Sequence, residues 1–335
     1  MFTANIGILG ATGAVGREML KMLDEYAIPV NELRLFASAR SAGQMVMFRK
    51  SAVMVEEPSA ERFKGLDFVL GAVSGSLSKA LAPQIKASGA VFIDNSSAFR
   101  MDDTVPLIVP EINGEDALKH NGIIANPNCS TIISLMAIAG IAKRTKIESM
   151  VACTYQAVSG AGQGGIAELD NQMRALYEGK EPEHSCFPAQ IALNVIPFIG
   201  SYTENGYTSE EMKMQNEGRK ILHLPDLTVT CTCVRVPVMR SHSISITLRT
   251  AEKISVQEAG ALIAAYPGCR LIEDIGGRDY PTPLDSTNQP LVYVGRIRED
   301  LTSENGLTLW CCGDQIRKGA AQNAVQILQY LMMKG

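Results

Sequence analysis

From Asn5 onward the chain alternates short apolar runs with stretches of helical periodicity. Asn5–Leu9 reads as a strand and runs into Gly10-Ala11-Thr12-Gly13-Ala14-Val15-Gly16, after which Val15, Met19, Leu20, Met22 and Leu23 form one helical stripe. Strands are expected at Leu33–Ala37, Phe68–Val73, Val91–Ile93, Leu107–Asn113 and Gly122–Asn126, with a helix over Leu77–Ser88. Ile132–Ile141 is apolar on every side and predicts a helix buried on most faces. This alternation points to a parallel sheet covered by helices.

Beyond that helix the pattern changes. Ser149–Val158 reads as a strand, and residues 166–222 as a largely irregular segment with helical patches and no strong periodicity. Strand signals return at Thr228–Val238, Ser243–Thr250, Leu291–Arg298 and Gly306–Cys311. Long helices are missing from most joins, which suggests a second, mixed or antiparallel sheet. Gln315–Met333 carries Ile316, Ala320, Ala324, Ile327, Leu328 and Leu331 at helical spacing and is expected to return to the first domain. The expected division is therefore 1–127 with 315–335, and 128–314.

A chain of 335 residues, 46% hydrophobic and 20% charged, has the balance of a soluble globular protein of two domains. A net charge of −4 gives no reason to expect nucleic acid or an anionic membrane as partner. No apolar run reaches the length of a membrane span and Met1–Asn5 has no signal-peptide character, so a cytoplasmic location is expected. The eight cysteines show neither disulfide-scaffold spacing nor a C-x-x-C pair, and with four scattered histidines no metal site is expected. Cys231 and Cys233, on one face of a strand, read as packed thiols.

Two stretches carry chemistry. Gly10, Gly13 and Gly16 lie between a strand and a helix, where a backbone can approach a pyrophosphate at a helix N-terminus. Thr12, Ala14 and Val15 belong to the same loop, and Ser74 and Gly75 end another strand on the same rim, as do Asn95, Ser96 and Arg100. The second strand ends in Ser38, Arg40 and Ser41 where an NAD site places a carboxylate, so a 2′-phosphate is favoured and the expected cofactor is NADP. In Asn126-Pro127-Asn128-Cys129-Ser130-Thr131, the turn puts Cys129 at the start of the buried helix. Free N–H groups and the positive helix end there favour a thiolate and would hold an oxyanion formed by its attack on a carbonyl.

Gly-Ala-Thr-Gly-Ala-Val-Gly, Ser-Ala-Arg-Ser-Ala-Gly, Asn-Ser-Ser-Ala-Phe-Arg, Pro-Asn-Cys-Ser-Thr, Tyr-Gln-Ala-Val-Ser-Gly-Ala-Gly, Arg-Val-Pro-Val-x-x-x-His and Lys-Gly-Ala-Ala-x-Asn-Ala follow one another in this order. Together, from Gly7 to Gln326, they resemble the aspartate-β-semialdehyde dehydrogenase family. The resemblance implies a Rossmann-like NADP-binding domain joined to an α+β catalytic and dimerisation domain with a mixed sheet. It implies NADP-dependent reduction of L-aspartyl-4-phosphate to L-aspartate 4-semialdehyde with release of phosphate, on the route to lysine, methionine and threonine. Cys129 would form the thioester, His242 act as acid/base, and Gln156 position the substrate or the imidazole. Arg235 would clamp the substrate carboxylate, Arg100 and Lys213 bind phosphate, Glu210 meet the substrate ammonium, and Asn128 assist nearby. Ser159, Gly160 and Gln315 would touch the cofactor. Ser241 stands where the family usually has Gly, and Gln315 where it commonly has Asn. A homodimer is expected, with a homotetramer as the alternative. Rival readings are N-acetyl-γ-glutamyl-phosphate reductase, a reductase of a CoA thioester, and a catalytically silent nucleotide-binding paralogue.

Overall fold

The computed structural model describes residues 2–274 and 276–334. The chain divides into two compact units, Met1–Asn128 with Ala320–Gly335, and Cys129–Gly319.

The first unit is built on strands β1 (Ala4–Leu9), β2 (Val30–Phe36), β3 (Met45–Phe48), β4 (Ser51–Glu56), β5 (Phe68–Gly71), β6 (Val91–Asp94) and β7 (Ile123–Ala125), in sheet order β3-β4-β2-β1-β5-β6-β7. All pairings are parallel except the β3–β4 hairpin. Its helices are α1 (Ala14–Glu25), α2 (Ala60–Phe63), α3 (Gly75–Ala87) and α4 (Pro110–Asn113), joined by the C-terminal helix Gln322–Lys334. Parallel strands must be linked by crossovers, and the central strands β1, β5 and β6 are almost entirely buried, whereas β2 exposes Asn31 and Glu32. One cluster joins Ile6 and Ile8 to Met19, Met22 and Leu23 of α1 and to Ala324, Ile327, Leu328 and Leu331 of the C-terminal helix. A second cluster packs Phe36, Phe63, Phe92 and Ile85 on the opposite face.

The second unit has strands β8 (Ile147–Gln156), β9 (Thr228–Arg235), β10 (His242–Thr250), β11 (Cys269–Leu271), β12 (Val292–Glu299) and β13 (Gly306–Gly313), in order β11-β12-β13-β10-β8-β9. The sheet is mixed: β8–β9 and β11–β12 are parallel and the other pairings antiparallel. Its helices are α5 (Cys129–Arg144), α6 (Gly162–Tyr177), α7 (Ser209–Leu222), α8 (Val256–Ala264) and α9 (Pro283–Ser286). From Ser130 to Ile141 every residue of α5 is buried, as its uniform apolar character requires.

Several local expectations are corrected. Leu107–Asn113 is not a strand: Leu107 makes one isolated bridge to Ala125, and Pro110, which lacks an N–H, starts α4 at its first position. Residues 166–222 are not mainly irregular, because they contain most of α6 and all of α7. α7 is opened by a capping box in which Thr208 and Glu211 exchange side-chain and backbone bonds. The hairpin β3–β4 and helix α8, capped by Ser255, have no counterpart in the sequence reading. The chain re-enters the first unit at Ala320 rather than 315, and its last helix starts at Gln322 after a π-helical turn, Arg317–Ala321. The intervening residues are held in the second unit: Gln315 Oε1 accepts the Ser241 N–H at 2.8 Å, and a Cβ on Gly319 would stand 2.9 Å from Cys129 Cβ. Among the described residues no helix is long and apolar enough to cross a membrane.

Candidate active site

Strand register assembles the site of the second unit. In the parallel β8–β9 pair Gln156 lies opposite Arg235, both at C-terminal strand ends. The antiparallel neighbour β10 starts at His242, next to the Ser243–Tyr155 pair. Three residues scattered over the sequence thus share one end of the sheet. α5 begins there too, and Cys129 Sγ lies 3.4 Å from His242 Nε2.

The imidazole is fully buried, and the Ala157 N–H reaches its Nδ1 at 3.0 Å. A backbone N–H can only donate, so Nδ1 is the acceptor and the neutral ring carries its proton on Nε2, facing the sulfur. Burial lowers the His242 pKa to about 3, the Arg235 charge acting in the same direction and Glu210 opposing it. His242 therefore rests neutral, as a hydrogen-bond donor to Cys129. This narrows the acid/base role, because a second proton on the ring would have to displace the Ala157 bond.

Gln156 is held at both ends: Thr154 Oγ1 donates to its Oε1 at 3.0 Å, and its Nε2 donates to Glu210 Oε1 at 3.1 Å. Glu210, in the first turn of α7, pairs with Lys213 Nζ at 2.7 Å one turn later. Arg235 is buried and its Nη1 donates to the Ala157 carbonyl at 2.7 Å. Gly160 closes this cluster, since a Cβ there would stand 2.8 Å from Arg235 Nη1 and 3.3 Å from His242 Cε1. Cys129, His242, Gln156, Arg235, Glu210, Lys213 and Gly160 therefore belong to one neighbourhood.

Gln315 is engaged within the protein. Its Oε1 accepts the Ser241 N–H at 2.8 Å and its Nε2 donates to Ser159 Oγ. Ser241 has φ of +74°, the left-handed region that glycine enters without strain. That conformation gives the physical reason for glycine as the alternative residue. Here the serine is held by Gln315 and by a 3.0 Å contact between its Oγ and Thr287 Oγ1. Sequence reasoning missed this support around His242, as it missed Gly319 beside Cys129.

In the first unit, a cavity of about 640 Å³ is lined by Gly10, Thr12, Gly13, Ser38 and Ser74, among others. Gly10 has φ of +86° and lies so close to β5 that a Cβ would meet the Ala72 carbonyl oxygen at 2.3 Å. At Gly13 a Cβ would meet only the Gly10 oxygen, at 3.4 Å, so the loop presents open backbone at the start of α1, as a pyrophosphate cradle needs. Ala14 and Val15 open α1. Ser74 caps α3, accepting from the Leu77 N–H, and Gly75 begins that helix. Ser41 is buried against Thr12 and Arg40 is exposed, and neither lines the cavity, whereas Glu57, from beyond β4, does. Glu57 follows β4, a strand whose position the sequence left unread.

Arg100 belongs to this unit, where its Nε and Nη2 donate to the carbonyls of Asn126 and Asn95 at 2.9 and 2.8 Å. Asn128 is the unit's last residue before Cys129 and is buried. Among the described residues no group of three or more His, Cys, Asp or Glu is arranged to hold a metal ion. All eight cysteines are free thiols, and Cys231 and Cys233 pack with their sulfurs 3.7 Å apart.

Residues 5–120 match the family model described as semialdehyde dehydrogenase, NAD binding domain, and residues 138–318 the one described as semialdehyde dehydrogenase, dimerisation domain. An aspartate-semialdehyde dehydrogenase of Synechocystis sp. is 48% identical over 98% of both chains. The Bacillus subtilis enzyme of that name is 44% identical over 98% of this chain and 97% of its own. A crystal structure of aspartate semialdehyde dehydrogenase II from Vibrio cholerae, complexed with ASA, superposes with a TM-score of 0.96 at 41% identity, covering 99% of each chain.

Proposed function

The chain belongs to the aspartate-semialdehyde dehydrogenase family and interconverts aspartyl phosphate and aspartate semialdehyde, and from that premise we propose the roles of its residues. It is an oxidoreductase of aspartate-family amino-acid biosynthesis with an NAD(P)-binding domain and a dimerisation domain. The observation that carries the mechanism is Cys129 Sγ at 3.4 Å from His242 Nε2 at the start of α5. In the reductive direction the thiolate attacks the acyl carbon, the bond to phosphate oxygen breaks with its electron pair leaving on phosphate, and a thioester forms on Cys129. The nicotinamide, when bound, supplies the hydride that reduces this thioester. His242 donates through Nε2–H to the sulfur, or to an oxyanion on the carbon bonded to it, without needing a second proton.

Arg235 binds the substrate carboxylate, for which its planar guanidinium is suited. Glu210 takes the ammonium, and its bonds to Gln156 and Lys213 hold the carboxylate in place. Lys213 and Arg100 are assigned to the phosphate, and Asn128 to the reacting carbonyl. Gly10, Thr12, Gly13, Ala14, Val15, Ser74 and Gly75 would hold the dinucleotide in the first unit, and Ser159, Gly160 and Gln315 belong to the second. NADP is the proposed form, supported by Ser38 on the cavity wall and Arg40 in the adjoining exposed turn.

The assembly proposed is a homodimer through the second unit, with a homotetramer as the larger alternative. Val151 and Tyr155 alternate with buried residues of β8, so they project from the sheet face opposite α5 and are exposed there. A sedimentation measurement on the wild type and on Val151→Asp tests this, a monomeric wild type being the refuting result.

The first experiment for the chemistry is the initial rate of NADPH formation from L-aspartate semialdehyde, with and without phosphate, for the wild type and Cys129→Ala. The expected result is a phosphate-dependent rate that falls by roughly 10³-fold or more in the variant. An undiminished rate in Cys129→Ala removes the covalent mechanism. An equal rate with NAD removes the NADP assignment and leaves the rest.

A further inference from the structure

A chain of contacts outside the reacting groups converges on Arg235. Glu168 and Gln172 lie one turn apart on α6, both buried, and face the segment between α6 and α7. The Glu168 carboxylate accepts the Ser185 N–H at 2.8 Å, the Ser185 hydroxyl at 3.2 Å, the Cys186 N–H, and the Phe187 N–H at 3.3 Å. Gln172 continues the grip: its Oε1 accepts the N–H groups of Ile191 and Ala192, each at 2.9 Å, and its Nε2 donates to the Glu183 carbonyl at 2.9 Å. Residues 183–192 are thereby tied to α6 as a strap.

The strap meets Arg235 twice. The Phe187 ring is buried beside the guanidinium, with Arg235 Cζ 5.7 Å from the ring centroid. A few residues on, Ile196 pairs with the Arg235 backbone in both directions, N–H to carbonyl at 2.9 and 2.8 Å. Phe187 is fixed from below by Gly165, where a Cβ would stand 3.0 Å from the ring. Burial pushes the Glu168 carboxyl pKa up, but the N–H groups of Cys186, Ser185 and Phe187 outweigh it and hold the pKa below its ordinary value.

We propose that Glu168 is a positioning residue for substrate binding: through the strap and Phe187 it fixes the guanidinium of Arg235 at the carboxylate of the semialdehyde. This rests on the assignment of Arg235 as the carboxylate clamp. Ordinary surface anchoring of a loop would not require a buried carboxylate with this set of donors, nor would it end on the buried arginine beside His242. Replacing the carboxylate by an amide, Glu168→Gln, puts an NH₂ among N–H donors, so the strap loosens while the side-chain volume is kept.

The test is steady-state kinetics of the full chain in the phosphorylating direction, with Glu168→Gln, Phe187→Leu, Arg235→Ala and the double variant Glu168→Gln/Arg235→Ala. The ring–guanidinium contact is worth about a tenfold change in binding, so KM for L-aspartate semialdehyde should rise about tenfold in Glu168→Gln and in Phe187→Leu. KM for phosphate and kcat should change less than about threefold. In the Arg235→Ala background Glu168→Gln should add nothing to the semialdehyde KM. Phe187→Leu keeps every bond to Glu168, so it reads the same contact if Glu168→Gln folds poorly. If Arg235→Ala leaves the semialdehyde KM unchanged, the clamp assignment fails. If Arg235→Ala raises it while Glu168→Gln and Phe187→Leu do not, or if Glu168→Gln acts equally in the Arg235→Ala background, the positioning role fails alone.

Discussion

Moving from pH 7.5 to pH 5 should cost the folded protein about 2 kcal/mol through His242 alone. The ring is fully buried and its pKa is lowered to about 3, first by burial and then by Arg235. In the unfolded chain it titrates near its ordinary value of about 6.5, so the unfolded state binds the additional proton as pH falls. A depressed histidine therefore leaves stability intact above about pH 6.5 and removes it progressively between about 6.5 and 3. At pH 5 the unfolded ring is mostly protonated while the folded one is not. That difference of about 1.5 pH units is worth about 1.4 kcal/mol per unit. Urea unfolding at pH 7.5, 6 and 5 measures it, with His242→Asn as reference because Asn can still accept the Ala157 N–H. Glu168 and Asp285, whose pKa values are also lowered, lose stability on acidification in both proteins and cancel in the comparison. A wild type whose acid sensitivity matches that of His242→Asn within about 0.5 kcal/mol would refute the buried neutral imidazole.

Alkylation of Cys129 by iodoacetamide should follow one pH transition rather than two, because His242 stays neutral; a second transition, from the imidazole, would contradict the Ala157 bond. Ser241→Gly should leave unfolding free energy within about 1 kcal/mol of wild type, since relief of the +74° φ offsets the lost contact to Thr287; a larger loss would make the hydroxyl the dominant support. Gly319→Ala should lower kcat by about 10- to 100-fold and cost about 1–3 kcal/mol of unfolding free energy, because the new Cβ meets that of Cys129 at 2.9 Å; an unaltered kcat would mean that the nucleophile tolerates displacement.

How much of this was legible along the chain depends on the range over which each feature is set. The glycine loop and the start of α5 are made by contiguous residues, so Gly10, Gly13 and Cys129 could be read in place. The β3–β4 hairpin could not, because Met45, Met47 and Met54 put apolar side chains on its exposed face and blur the alternation of a half-buried strand. α7 hid for the opposite reason: its exposed face is charged, and the capping box Thr208–Glu211 was the readable signal. The site depends on the longest range of all. Gln156, Arg235 and His242 were identified by resemblance, but their meeting comes from register, since a one-residue slip of β9 would turn Arg235 to the other face of the sheet. What holds that register near the site is a set of polar contacts with no periodicity to detect. Glu211 accepts the Cys233 N–H at 3.0 Å, tying α7 to β9, and Ile196, a few residues beyond the strap, pairs with Arg235. The strap itself is legible only once Glu168 is seen to face Ser185, Cys186 and Phe187, because a glutamate on an amphipathic helix otherwise reads as a solvated surface residue. The chemistry of this enzyme was therefore readable from its motifs, whereas the supports that aim it were not, and substitutions at Glu168, Ser241 and Gly319 probe that second layer.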